Sequence, residues 1–496
     1  MEETLDGVRV APEECNPRAL GPLARARGAA RANWAGALGM VWACYGAPGS
    51  ILLTLFLKEW LRADKWQIGL VMTMTFLGPV IEPAGAYLVE RFGRRRLLFL
   101  ITYLLNRLAF FAIAAIPFFG SPDQCRDLGI GVVLAVVGCT RVVAHLGTPA
   151  WWSWMADLVP ERRRSRFFGC RTQAASAVTS ISFVAGMILL QCCGGMGNRS
   201  LVSALFAIGA VFGTVDILLY LRVPEPPMPA TAGRHGIRGF VQPFSQPFRQ
   251  AAFCRLILGM GLWSFSTNLV LPFLPVYQRG ETLAGHSVGL GVSWLFLACL
   301  TVAGSFAAMV TSRRWADWSE RLGTTKLLLL GSGYLFVNLI YLVVGPNRLL
   351  WVLLLVSFLG GALNAAWIVS TQQLLLHVSP RENRSFYISA HNFTNGLLMA
   401  GGPLLGGLLA DWLPVLGWHM PGGLAWCYFH ILLLLALCGG TVALGVLAGV
   451  PAMQQVKDYV LAARPMRLRK ARVSLHGKKA RRIEPALEDA EQFANV

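Results

Sequence analysis

The sequence predicts an all-α membrane protein with twelve transmembrane helices in two six-helix, pseudo-symmetric halves. Three observations predict it. The 496-residue chain is 55% hydrophobic and only 14% charged, which is outside the range of ordinary soluble domains. Its apolar residues come in runs of about twenty, the length a helix needs to cross ~30 Å of hydrocarbon. A charged stretch also recurs: Val89-Glu90-Arg91-Phe92-Gly93-Arg94-Arg95-Arg96-Leu97-Leu98 aligns without gaps with Ser319-Glu320-Arg321-Leu322-Gly323-Thr324-Thr325-Lys326-Leu327-Leu328. Repeated loop signatures of this kind mark parallel internal repeats.

A second echo supports the duplication. Val159-Pro160-Glu161-Arg162-Arg163-Arg164-Ser165-Arg166-Phe167 corresponds to Ser379-Pro380-Arg381-Glu382-Asn383-Arg384-Ser385-Phe386-Tyr387. In chain order, residues 1–33 are polar, show no signal-peptide pattern and read as a cytoplasmic tail. The first bundle covers 34–221, with helices near 34–57, 67–89, 97–119, 129–156, 168–191 and 200–221. Residues 222–253 have the proline and glycine content of a linker. The second bundle covers 254–450, with helices near 254–277, 287–311, 327–345, 349–376, 386–412 and 424–450, and a basic tail fills 451–496.

Of the 44 Lys and Arg, 35 fall in the tails and the loops of one side, 7 in the opposite loops and 2 inside apolar runs. That is the positive-inside asymmetry, so both termini are expected in the cytoplasm. The tail basic residues (Arg467, Arg469, Lys470, Arg472, Lys478, Lys479, Arg481 and Arg482) read as a contact with anionic lipid, not nucleic acid. The eleven cysteines lack metal or redox spacing, and only Cys125, Cys192 and Cys193 fall in predicted outer loops. No phosphate-binding loop, metal-ligand set or nucleophile–base pair is visible. No enzyme, cofactor or metal is expected.

The stretch Ala86-Tyr87-Leu88-Val89-Glu90-Arg91-Phe92-Gly93-Arg94-Arg95-Arg96 resembles the loop between helices 2 and 3 of the major facilitator superfamily, with Ala86 in place of a glycine and Glu90 in place of an aspartate. The segment from Met155 to Gly169 is similar to the helix 4–5 loop of bacterial members. The resemblance implies the major facilitator fold in the plasma (inner) membrane, and a small solute moved by rocking of the two halves. It also implies a cytoplasmic latch. In the first half this would be Glu90, Arg91, Arg94, Asp157, Glu161, Arg164 and Arg166, turned at Gly93. In the second it would be Asp317, Glu320, Arg321, Lys326, Arg381, Glu382 and Arg384, turned at Gly323, with Thr324 and Thr325 replacing two arginines. Gly402-Pro403-Leu404-Leu405-Gly406-Gly407 is similar to a drug-antiporter signature, but lies on helix 11 and not on helix 5.

Ionisable groups inside hydrocarbon need a partner or a function. Glu82 and Arg107 lie eight and eleven residues from Glu90 and Arg96, so at ~1.5 Å per residue both sit roughly 12–16 Å deep on neighbouring helices. They are expected to pair. Arg141 is left without an acid and shares a helix face with His145. It either holds a carboxylate or phosphate of the solute, or bonds backbone carbonyls or a second-half side chain and closes the cavity. Because helices 1, 4, 7 and 10 line the cavity in the resembled family, Tyr45, Asn268 and Asn364 are further candidates, as are His391, Asn392 and Asn395 at the start of helix 11. A coupling proton or cation, at Glu82 or His145, stays open. Trp151, Trp152 and Trp154 read as interfacial aromatics, and Asp216 and Asp411 as acids close enough to helix ends to reach water. The competing reading is a transport-inactive membrane sensor or scaffold with the same fold.

Overall fold

The computed structural model describes residues 21–227, 244–283, 286–344, 350–379, 384–413 and 426–450. It is all-α apart from one two-stranded hairpin. Eleven helical spans among the described residues are long and apolar enough to cross a membrane. The remaining span, helix 1, is broken into Pro22–Tyr45, Ile51–Leu55 and a π-turn, Phe56–Trp60. The break follows from sequence: Pro48 cannot donate a backbone hydrogen bond, and Gly49 sits at φ +86°, where a side chain would be strained. Ser50 restarts the helix, its Oγ accepting from the Leu53 amide at 3.2 Å.

Helix 2 is similarly divided into Lys65–Leu77, a 3-10 turn Gly78–Ile81 at Pro79, and Glu82–Phe92. Gly93 ends it at φ +63°, so the turn expected there is formed. Helices 3 to 6 are Arg95–Ala115, Pro122–Leu158, Glu161–Cys192 and Arg199–Leu219. Helix 4 begins earlier than expected because Ser121 and Gln124 form a capping box. Helix 5 also begins earlier, so the arginine run read as a loop forms its first turns. Cys125 is therefore not in a loop but buried in helix 4, and it, Cys192 and Cys193 are free thiols.

In the second half, helix 7 is Ala251–Val270, extended by a 3-10 turn and Leu274–Arg279. Strands β1 (Glu281–Leu283) and β2 (His286–Val288) pair antiparallel, with Glu281 opposite Val288. Helices 8 to 12 are Trp294–Leu322, Thr324–Val337, Leu350–Val378, Arg384–Trp412 and Tyr428–Ala448. Helix 8 runs past its expected end at 311, so Asp317 and Arg321 stand on its last turns.

Helix 11 is wedged between helix 2 and helix 7, and the glycines of 402–407 make that possible. A Cβ on Gly407 would lie 2.5 Å from the Lys65 carbonyl, and one on Gly402 2.5 Å from that of Phe265. Bare glycines let the backbones meet. The antiporter-like signature therefore serves here as a packing device joining the two halves. The bundle has two unlike ends: a basic end, carrying the turns after helices 2, 4 and 8, and a far end, carrying the 1–2 and 7–8 connections.

Candidate functional site

A chamber of about 980 Å³ lies between the halves, a size suited to a small organic ligand. Arg141 and His145 reach it from helix 4, Asn268 from helix 7, Asn364 from helix 10 and Asn395 from helix 11. The break in helix 1 positions Arg141. It frees the Pro48 carbonyl, which accepts from Arg141 Nη2 at 3.1 Å and fixes the guanidinium at the chamber wall. Among the described residues, Arg141 Nε is buried and has no partner. The Oδ1 of Asn268 is likewise unpartnered, while its Nδ2 donates to the Ser264 carbonyl. Asn395 Oδ1 accepts from the Ser264 hydroxyl at 2.8 Å.

Two candidates are elsewhere. The Tyr45 hydroxyl donates to the Ser182 carbonyl, its ring packs on Gly186 and its Cβ on Gly209; it ties helix 1 to helices 5 and 6. His391, half-buried, does not line the chamber. The candidate Asn392 also lines the chamber, which adds groups not singled out as ligands: Glu82, Gln278 and Tyr341.

The expected Glu82–Arg107 pair is not formed. His145 Nδ1 lies 2.9 Å from Glu82 Oε1, and Asn392 Nδ2 donates to Oε2 at 3.2 Å. Glu82 thus joins helices 2, 4 and 11 across both halves. Gly78 permits this, since a Cβ there would lie 2.1 Å from His145 Cδ2. Arg107 instead points into the first half, 3.4 Å from Asp216 and 3.5 Å over the Trp42 ring. Asp216 does not reach water: it is only 5% exposed, because Gly39 and Gly213 bring helices 1 and 6 together around it. Equal depth did not select the partner; helix rotation did. Removing one member strands a buried charge, so Asp216→Asn should cost about 3–5 kcal/mol. Thermal unfolding in detergent checks this, with joint replacement by Met and Leu recovering most of the loss.

At the far end the halves are locked together. Lys58 and Lys65 lie 2.8 Å and 3.5 Å from Glu281 Oε2, and the Tyr428 hydroxyl donates to Oε1 at 2.7 Å. Arg279 pairs with Glu59 at 3.1 Å. Asp411 accepts from the Lys65 and Trp66 amides at 3.1 Å and 2.7 Å, capping helix 2 with a carboxylate from the other half. Asp411 is thus exposed, as expected of an acid near a helix end, and bridges the halves as well. Burial pushes the Glu281 carboxyl up, but the two ammoniums and the tyrosine outweigh it, leaving its pKa below the ordinary range.

At the basic end no ion pair joins the halves among the described residues. Asp157 pairs instead with Arg95 of its own half, a residue the latch reading missed. Arg95 is fully buried and also donates to Ser153 and the Pro226 carbonyl. The second half has a neutral counterpart, with Ser319 and Thr324 on Gln373. Arg91, Arg94, Asp317 and Arg321 are exposed, and Gly323 turns at φ +89°. Trp154 is not interfacial but buried, donating to the Pro224 carbonyl. The side chains of Glu90, Glu161, Arg164, Arg166, Glu320 and Arg384 lie outside the described residues, as do Arg381, Glu382 and the tails at 1–20 and 451–496.

The geometry agrees with what the chain is similar to. The multidrug resistance protein MdtG of Salmonella choleraesuis (strain SC-B67) is 32% identical over 161 residues, 31% of this chain and 36% of the relative. MdtG of Citrobacter koseri is 34% identical over 160 residues, with the same coverage. The match thus spans about a third of these curated relatives' length. Among solved structures, the nucleoside transporter NupG superimposes with a TM-score of 0.59 at 14% identity, covering 85% of this chain and 98% of that one. A POT family transporter in complex with 5-aminolevulinic acid gives 0.59 at 15% identity, covering 86% and 96%. The sequence profile of the Major Facilitator Superfamily matches residues 35–344. With more than half of the chain matched, this multi-pass membrane protein belongs to the Major Facilitator Superfamily, a family of solute transporters.

Proposed function

We propose that the chain is a secondary transporter that carries a small anionic solute through the central chamber by alternating access. Both termini then lie on the cytoplasmic side, so the basic end is the inner one, and the ion-paired far end is the outer one. The observation that carries this reading is Arg141: a guanidinium held at the chamber wall by one carbonyl through Nη2, with no carboxylate paired to it among the described residues. Such a group suits a carboxylate or phosphate oxygen. A thermal-shift screen of anionic and neutral solutes on purified protein identifies the ligand, because a true ligand stabilises the folded state by mass action. Flux of that ligand into proteoliposomes then separates a transporter from a sensor, which would bind without flux.

Proton coupling fits the same chamber. Glu82 is shared between His145 and Asn392, so protonating it would loosen a contact between the halves. Glu82→Gln should abolish uptake driven by a pH gradient while leaving solute exchange across the membrane at least partly active. Gradient-driven uptake at the wild-type rate in that variant would remove the proton from the mechanism.

A further inference from the structure

A second chamber, of about 560 Å³, opens within the first half among helices 1, 3, 4, 5 and 6. Ser305 of helix 8 lines both it and the central chamber, so the two are neighbours. Its character is different. The central chamber is walled mainly by small and amide side chains, whereas this one is walled by aromatic rings and two guanidiniums.

One of those guanidiniums is accounted for: Arg107 pairs with Asp216. The other, Arg171, has no carboxylate within 4 Å among the described residues. Its Nη1 donates to the Ala32 carbonyl at 2.6 Å, and the group lies 4.8 Å over the Trp151 ring, which fixes its position. Its Nη2 has no hydrogen-bond partner among the described residues. Beside it, Trp152 and Phe168 face each other at 5.6 Å, and Trp152 is 55% exposed. The lining therefore offers one unmatched positive charge, anchored and pre-oriented, next to exposed aromatic surface. A cation is disfavoured because the acid present is already taken by Arg107. A simple inorganic anion would leave the rings uncovered.

We propose that this side chamber is a second binding site, for an aromatic carboxylate. The carboxylate pairs with Arg171 and the ring stacks against Trp152 and Phe168. The site is separate from Arg141 and does not depend on what the central chamber carries.

The test uses the full chain in detergent, with 1-naphthoate as probe and tryptophan fluorescence quenching as readout. Naphthoate should bind saturably, at least about tenfold more tightly than the neutral 1-naphthamide, since a charged hydrogen bond is lost in the amide. The cationic 1-naphthylmethylamine should bind more weakly still. Arg171→Gln and Trp152→Ala should each weaken naphthoate binding about tenfold, whereas Arg141→Gln should leave it unchanged. Should Arg171→Gln fail to fold, Arg171→Lys and Trp152→Ala decide, and unchanged affinity in both overturns the site. It is equally overturned if naphthoate does not bind, if the amine binds as well as the acid, or if affinity follows Arg141 in place of Arg171. The readout is binding, so it stands or falls apart from any measurement of transport.

Discussion

Arg141→Gln should reduce solute binding by about ten- to a hundredfold, the effect of losing a charged hydrogen-bond donor to an anion. The variant keeps much of the side chain's length but loses the charge, and Pro48 keeps an amide donor within reach. The protein should therefore stay folded, and thermal unfolding without ligand should shift little. Arg141→Lys should recover only part of the affinity, because an ammonium does not reproduce the planar fork that can hold Pro48 and a ligand oxygen together. Binding unchanged in Arg141→Gln, with stability lost, would instead assign Arg141 to closing the wall through the helix 1 carbonyl. Titration of the ligand identified by thermal shift, on wild type and both variants, separates these outcomes.

The second large effect is expected at Glu281. Lys58, Lys65 and Tyr428 all converge on this one carboxylate, so Glu281→Lys turns an ion cluster into three mutually repelling ammoniums. The far end should open, and transport should fall at least about tenfold because one state of the cycle is lost. The amides of Lys65 and Trp66 report this directly. They are the first two of helix 2 and have no intrahelical acceptor, so their protection from hydrogen exchange comes from Asp411 across the interface. Exchange there should accelerate in the variant while helix 3 is unaffected. The pH dependence follows in sign. Glu281 has a pKa below its reference of 4.5, so its contribution is complete above that value and is lost only as pH falls through the lower one. The closed far end should thus hold across neutral pH and open only in acid.

Much of this architecture is legible in the chain. Apolar runs give the spans, and the repeated turns at Gly93 and Gly323 give the duplication, because both depend on local composition. Gly46, Pro48 and Gly49, and Gly78 and Pro79, are helix breakers by residue type, but what the breaks expose depends on neighbours far away in sequence. Depth along a helix also follows from counting. Rotation about its axis does not, since helices that are apolar on every side carry little periodicity to fix it. That is why Glu82 and Arg107 were matched by depth while the fold turns them toward His145 and Asp216, and why Tyr45 faces helix 5 in place of the chamber. Gly39 and Gly213, flanking the space that Asp216 fills, were the available signal for that contact. The far-end lock left no signal of its own: Lys58, Glu59 and Lys65 around the 1–2 connection, Arg279 and Glu281 in the 7–8 connection and Asp411 at the end of helix 11 are joined only by folding.

The central claim is that the two halves rock about the shared chamber, closing one end as the other opens. Pulsed electron–electron distances between spin labels test it most directly, on cysteines introduced after the native thiols are replaced. One pair, at Phe92 and Trp318, reports the basic end, and another, at Phe118 and Trp412, the far end; all four side chains are exposed. On adding the transported solute the basic-end distance should shorten and the far-end distance should lengthen. Two distances that stay fixed, or that change in the same direction, would contradict the account.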